Sequence, residues 1–332
     1  MLEHGGNLHD AIAHFGRPRE EWIDLSTGIN PQPYPVLPLS ADAWHHLPEI
    51  SPALAAAAEA YYGAPRLLPV AGTQAAIQAL PRLRTPSRVV VAAPAYAEHV
   101  HCWAQAGHEV REIAYGELAS AVAHCDVMVI CNPNNPTGAT IAPEILLTWA
   151  EQLALRRGWL VVDEAFCDTV PQLSVAAWSD RPELIVLRSV GKFFGLAGLR
   201  LGFVAAHPAL LSALSDVLGP WSVSGPAQDI GCAALADHSW QQTMRKHLLS
   251  AGERLRNLLA SHGISTSGSA LYQWWPEPQA QVFWHHMAQR GIWVRLFTRG
   301  PCGIRLGLPK SGTGWQRLEQ ALAAWTVLEK KE

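Results

Sequence analysis

No stretch of about 18 apolar residues occurs in this chain, the length that a membrane-crossing helix needs, so no membrane span is expected. No basic block occurs either. The chain has 25 Lys and Arg against 28 Asp and Glu, for a net charge of −3. That leaves no electrostatic footprint for nucleic acid. The six cysteines (102, 125, 131, 167, 232 and 302) form no Cys-x-x-Cys pair. Three of them, 125, 131 and 167, fall in or beside expected buried strands. They read as reduced core thiols of a cytoplasmic protein. Fifteen histidines show no His-Glu-x-x-His spacing, so no metal site is expected. The amino terminus has neither a positive region nor an apolar run, so no signal peptide is read there. Internal repeats and low-complexity segments are missing too.

What is present is apolar substance. The 332 residues are 49% hydrophobic, enough for a sizeable core and more than one lobe. Fourteen tryptophans are dispersed along the chain. Residues 1–40 are rich in Pro and Gly and short on helical period. They read as an extended, turn-rich arm that joins a small domain. Residues 41–225 alternate helix and strand. Helices are expected at Pro52–Tyr62, from Gly72 to about Leu83, Glu98–Ala106 and Pro143–Arg157. Strands are expected at Arg88–Ala93, Asp126–Cys131, Trp159–Asp163, Leu184–Leu187 and Leu201–Ala206. The strands are continuous apolar runs, which predicts a mainly parallel sheet between helices in an α/β large domain. Residues 226–332 read as linking helices and a small α+β domain. Its strands are expected at Ala270–Trp275, Ile292–Leu296 and Gly303–Leu308. Its helices are expected at Gln279–Gln289 and Gly314–Glu329. Ligands of such sheets sit beyond the carboxyl ends of the strands.

The chemically suggestive residues cluster at those ends. Lys192 follows the apolar run 184–187 and sits among four glycines within twelve residues (191, 195, 198 and 202), in Ser189-Val190-Gly191-Lys192-Phe193-Phe194-Gly195 and onward past Arg200. A primary amine in such a turn can attack a carbonyl and form a Schiff base. Ser189 and Arg200 could bind a phosphate. That pairing suggests pyridoxal 5'-phosphate (PLP). Asp163 ends strand 159–163, where a buried carboxylate could keep a pyridine nitrogen protonated. An ordinary strand-end role is the alternative. Asn132-Pro133-Asn134-Asn135-Pro136-Thr137-Gly138 is a tight turn whose amide could bond a ring oxygen. Gly72-Thr73-Gln74 opens a helix and offers N–H groups to a phosphate. Tyr96 follows strand 88–93 and could stack on a ring or pack in the core. Arg305 lies in an apolar strand and needs a partner, either an internal carboxylate or a substrate anion.

In this order the set resembles the aspartate-aminotransferase-like superfamily of PLP enzymes (fold type I) over nearly the whole chain. The resemblance implies Lys192 as the Schiff-base lysine, Asp163 on the ring nitrogen, Asn135 on the ring oxygen and Tyr96 on the ring face. It implies Gly72, Thr73, Ser189 and Arg200 around the phosphate. Within the superfamily the chain looks closest to the threonine-phosphate decarboxylases of cobalamin biosynthesis. The carrying strings are His4-Gly5-Gly6-Asn7, the arm Asp24 to Pro31, Asp163-Glu164-Ala165-Phe166 and Pro220-Trp221-Ser222-Val223. That branch implies His4, Gly5, Gly28, Asn135, Arg295 and Arg305 at the substrate, a phosphorylated amino acid. It also implies a homodimer and decarboxylation of O-phospho-L-threonine. The same residues admit a histidinol-phosphate-type aminotransferase or a non-catalytic PLP-fold binding protein. The chain departs from the branch at Gly28, where Asn is usual. It departs at Leu47-Pro48, where Tyr-Pro is usual, and at Val70-Ala71-Gly72, where Gly-Asn-Gly is usual.

Overall fold

A computed structural model describes residues 5–36, 38–298 and 302–329. They form two compact units, one of residues 33–135 and 139–244, the other of 1–32, 136–138 and 245–332. Residues 33–40 and 226–244 thus lie in the larger unit. The first strand, β1, is the short Ile23–Asp24 of the smaller unit.

The larger unit is built on seven strands: β2 Leu67–Val70, β3 Arg88–Ala93, β4 Glu109–Ala114, β5 Val127–Cys131, β6 Trp159–Asp163, β7 Leu184–Ser189 and β8 Gly202–Ala205. Their order across the sheet is β2-β8-β7-β6-β5-β3-β4. All run parallel except β8, which is antiparallel to both its neighbours. The central strands β5 and β7 are buried at every residue, as strands covered on both faces must be. The two edge strands were missed in the sequence for physical reasons. β4 carries Glu109, Arg111 and Glu112, charges that protect an exposed edge from pairing further. β2 contains Pro69, tolerated because an edge strand has N–H groups to spare.

Helix boundaries follow local chemistry. Ser51 accepts from Leu54 N–H at 3.5 Å, Pro52 starts the first turn, and Gly63 ends the helix at φ 66°. The helix opened by Thr73 stops at Ala79, short of Leu83. Pro81 lacks the N–H to continue it, and Leu80–Leu83 tightens into a 3-10 turn.

The smaller unit pairs β1 with β11 (Ile292–Trp293). It holds a four-stranded sheet in the order β12-β13-β10-β9, with β9 Ser267–Ser269, β10 Tyr272–Pro276, β12 Arg295–Phe297 and β13 Gly303–Gly307. The arm is not wholly extended, because Leu8–Phe15 is a helix. Leu8, Ala11, Ile12 and Phe15 share one face of it, a spacing hidden in a segment dominated by Pro and Gly. That face packs with Trp22, Trp284 and Trp293. Several of the dispersed tryptophans thus meet in one aromatic cluster.

Candidate active site

The turn at Lys192 is held from below. β7 delivers Ser189, whose Oγ accepts from Gly191 N–H at 3.2 Å. Gly195 N–H donates to the Lys192 carbonyl at 3.2 Å, and Gly195 adopts φ 68°, which glycine takes without strain. Phe193 and Phe194 are buried. Phe194 stacks on Trp240 with centroids 5.6 Å apart, and Tyr61 flanks it at 5.5 Å. Lys192 itself is half-buried, with Nζ 5.5 Å from the centre of the Phe166 ring.

Asp163 ends β6 and is buried. Its Oδ1 accepts from Ala165 N–H at 3.0 Å, and its Oδ2 lies 2.9 Å from Nε2 of buried His99. Successive strand residues face opposite sides of a sheet. Glu164 accordingly enters a separate ion network. Arg188 donates to Glu164 at 2.6 Å and to Asp168 at 3.0 Å. Ser174 Oγ and Val175 N–H also donate to Glu164, at 2.5 and 2.7 Å. Tyr61 donates to Asp168 at 2.9 Å. Burial pulls the Arg188 guanidinium down, but Asp168 and Glu164 more than offset it and keep it charged.

The three asparagines after β5 divide their work. Asn132 exchanges two hydrogen bonds with the Ile141 backbone, at 2.9 and 3.0 Å. Asn134 donates to the Pro94 carbonyl at 2.9 Å. Those two pin the turn, and Asn135 lines the cavity above the strand ends. Tyr96 enters from the start of helix Ala97–Gln105 and donates to Gln74 at 3.1 Å, which in turn donates to Glu98 at 2.9 Å. Burial pushes the Tyr96 phenol up to about 12, with Glu98 adding to the shift, so it stays protonated. Gly72 adopts φ 73°, and a Cβ there would stand 2.6 Å from Arg200 Nη2. Arg200, left-handed at φ 54°, donates to the Ala197 carbonyl at 3.0 Å. One cavity is lined by Gly72, Thr73, Tyr96, Asn135, Asp163, Ser189, Lys192 and Arg200 together. These are all eight residues expected at a cofactor.

Among the described residues expected at a substrate, all but Asn135 lie in the smaller unit. Arg295 and Arg305 stand directly opposite each other on β12 and β13. Arg305 is buried, donates to the Ser26 carbonyl at 2.7 Å and lies over the Tyr272 ring at 5.3 Å. Burial lowers its guanidinium to about 10, partly offset by Tyr272 and reinforced by Arg295, so it remains a cation at neutral pH. Gly5 backs onto Ser26, where a Cβ would come within 2.3 Å of the carbonyl oxygen. Gly28 is buried two residues further along the same loop. His4 lies outside the described residues.

Residues 39–321 match the family described as aminotransferase class I and II. The chain belongs to that family. It is 50% identical over 323 residues to a threonine-phosphate decarboxylase of Pseudomonas aeruginosa, covering 97% of each chain. It is 40% identical over 329 residues to a threonine-phosphate decarboxylase of a Sinorhizobium species, covering 97% of this chain and 98% of the other. Its fold is also that of a histidinol-phosphate aminotransferase from Sinorhizobium meliloti solved with pyridoxal-5'-phosphate, at TM-score 0.81 and 20% identity over 98% and 95% of the two chains. PLP, the cofactor expected from the sequence, is that of this family.

A sequence reading of this aminotransferase-family chain overlooks His99, although it is the side chain that holds Asp163. The available signal was its place three residues after Tyr96, which puts both on one helix face. Cys131 and Phe166 also line the cavity. Cys131 read as an ordinary core thiol and Phe166 only as part of a matching string.

Proposed function

We propose that this chain is a PLP-dependent decarboxylase that converts O-phospho-L-threonine to (R)-1-amino-2-propanol O-phosphate and carbon dioxide in cobalamin biosynthesis. The carrying observation is the 50% identity to a threonine-phosphate decarboxylase across 97% of both chains. The residues present fit the cofactor. The cavity's donor set is an amine, a carboxylate, an amide, a phenol ring, hydroxyls and a guanidinium. Asp163 is fixed at both oxygens, and at Gly72 a side chain would collide with Arg200.

Lys192 would hold PLP through Nζ, with Asp163 at its ring nitrogen, Asn135 at its ring oxygen and Tyr96 against its face. Gly72, Thr73, Ser189 and Arg200 would hold its phosphate. Bound there, the cofactor supplies a sink for the electron pair left when the substrate carboxylate departs. His99 keeps Asp163 aimed, and the buried carboxylate would keep a pyridine nitrogen beside it protonated. The substrate brings two anionic handles. Arg305 orients the carboxylate, while Arg295 and His4 take the phosphate. Gly5 packs against the Ser26 carbonyl to which Arg305 is tied, where a Cβ would collide. Binding energy at the phosphate thereby fixes which bond at Cα stands ready to break. Lys192 Nζ then returns a proton to Cα.

We infer further that the protein is a homodimer in the cytoplasm. Trp44, Leu47 and Trp221 of the larger unit are 69%, 66% and 57% exposed. A second copy covering them would remove that apolar surface from water. Free cysteines fit a reducing compartment.

The deciding experiment mixes the PLP-loaded protein with O-phospho-L-threonine and identifies products by mass spectrometry. Aminopropanol phosphate and carbon dioxide, with the cofactor still as PLP, are expected. A keto product with pyridoxamine phosphate would overturn decarboxylation in favour of an aminotransferase. Lys192→Ala should abolish the near-visible absorbance of bound PLP.

A further inference from the structure

We propose that the cofactor-free chain binds a zinc-class divalent cation through His99, Cys131 and Asp163, and that this cation and the cofactor exclude one another. The exclusion rests on the cofactor reading above, whereas the cation site does not. The sheet register creates the site. Cys131 and Asp163 are the last residues of neighbouring parallel strands and are direct partners across β5 and β6. Residues in that relation put their side chains on the same face. Helix Ala97–Gln105 adds His99. One ligand atom from each lies within 4.8 Å of the other two, a spacing that a single ion can bridge.

The donor set is selective. One imidazole nitrogen, one sulfur and one carboxylate oxygen suit zinc or cobalt and not magnesium or calcium, which take oxygen. Thiolate and carboxylate together neutralise a dication. The three residues are 1%, 3% and 6% exposed, so their geometry is fixed by packing. Cys131 and Asp163 both line the cavity, which admits the ion and leaves room for water as a fourth ligand. Binding displaces the Cys131 thiol proton into solvent. Asp163 cannot coordinate a cation and serve a pyridine nitrogen at once, which is why occupancy is exclusive.

The test uses the full-length protein, freed of cofactor with hydroxylamine, and Co²⁺ as the probe. One equivalent should bind with the visible bands of four-coordinate cobalt and a near-ultraviolet sulfur-to-cobalt band. Cys131→Ser should lose the sulfur band and bind at least tenfold more weakly. His99→Gln should also bind at least tenfold more weakly while keeping the sulfur band. Cys232→Ser, altered elsewhere, should match the wild type. Far-ultraviolet dichroism establishes that each variant is folded, and His99→Gln carries the test alone if Cys131→Ser is not. Adding PLP should bleach the cobalt bands in proportion to the cofactor bound. No stoichiometric cobalt spectrum, or a sulfur band that survives in folded Cys131→Ser, would overturn the site. Cobalt bands that persist while PLP absorbance develops at Lys192 would overturn exclusion. Failure of PLP to bind in a cobalt-free control would count against the cofactor reading, and the cobalt spectrum would still decide the cation site.

Discussion

Replacing Arg188 by Met removes the cation that Glu164 and Asp168 share in a buried network. Arg188 is 3% exposed, and Glu164 and Asp168 are 0% and 1% exposed. Methionine keeps most of the volume, so the loss is chiefly electrostatic. Breaking a buried pair by removing one partner costs about 3–5 kcal/mol. Here two carboxylates lose their counter-ion, which places the expected loss near the top of that range. Such a loss is a large share of a total stability of about 5–15 kcal/mol. The pH dependence has a defined sign. Burial pushes the Glu164 carboxyl up from an ordinary value of 4.5, and Arg188, Ser174 and the Val175 N–H pull it back. Without Arg188 the folded-state carboxyl titrates well above the unfolded one. A group raised in this way favours folding below the unfolded value and loses that contribution as pH rises through the folded value. The deficit of the variant should therefore be larger at pH 8 than at pH 5. Urea denaturation followed by tryptophan fluorescence measures both quantities. Adding Glu164→Gln and Asp168→Asn should restore about half of the loss, because no buried charge then remains unpaired. A deficit below about 1 kcal/mol, or one equal at the two pH values, would refute this account.

Gly72→Ala should lower the melting temperature and weaken PLP binding about tenfold in an absorbance titration. A non-glycine residue at φ 73° costs about 1–3 kcal/mol, and its Cβ displaces Arg200, 2.6 Å away. Arg295→Ala should raise the KM for O-phospho-L-threonine far more than that for threonine, and equal losses would remove Arg295 from the phosphate. Hydrogen bonding by Arg88 lowers the Asp126 carboxyl from 3.8 to about 2, against a smaller opposing effect of burial. A depressed carboxyl stabilises above its unfolded value and stops doing so as pH falls through its folded one. The melting-temperature deficit of Asp126→Asn should thus be constant near neutrality and vanish between pH 4 and about pH 2.

Much of the large sheet was legible because its strands are apolar runs ended by chemistry. Strand Trp159–Asp163 has the same limits in sequence and structure, and so does Arg88–Ala93. The edge strands were illegible for the converse reason. Glu109–Ala114 is half charged and resembles a loop until β3 is seen beside it. The cavity was legible as strings of neighbouring residues, each short enough to be read locally. What could not be read is whatever comes from far along the chain. Asp163 meets His99 across 64 positions, and Arg305 meets the Ser26 carbonyl across 279. The place of His99 after Tyr96 does not point to Asp163, and nothing around Ser26 points to Arg305. Lys192, in contrast, stands out by scarcity as well as context, because no lysine precedes it in the chain.

The two sides of the sheet explain why the site strings contain residues that do not line the cavity. Asp163 and Ser189 line the cavity, while their neighbours Glu164 and Arg188 bind each other at 2.6 Å. Alternation along β6 and β7 sends each pair in opposite directions. A slip of one residue between these strands would turn the carboxylate and the hydroxyl away from the cavity and bring the ion pair into it. The ion pair opposes that slip, since moving either strand breaks a buried charge contact. Glu164 and Arg188 therefore act on the site through register. They fix the spacing between Asp163 and the turn that carries Lys192 from outside the cavity. The same logic accounts for Asn132 and Asn134, which hold the backbone so that Asn135 can face the cavity. In each string the residue that lines the cavity stands beside one that keeps it in place.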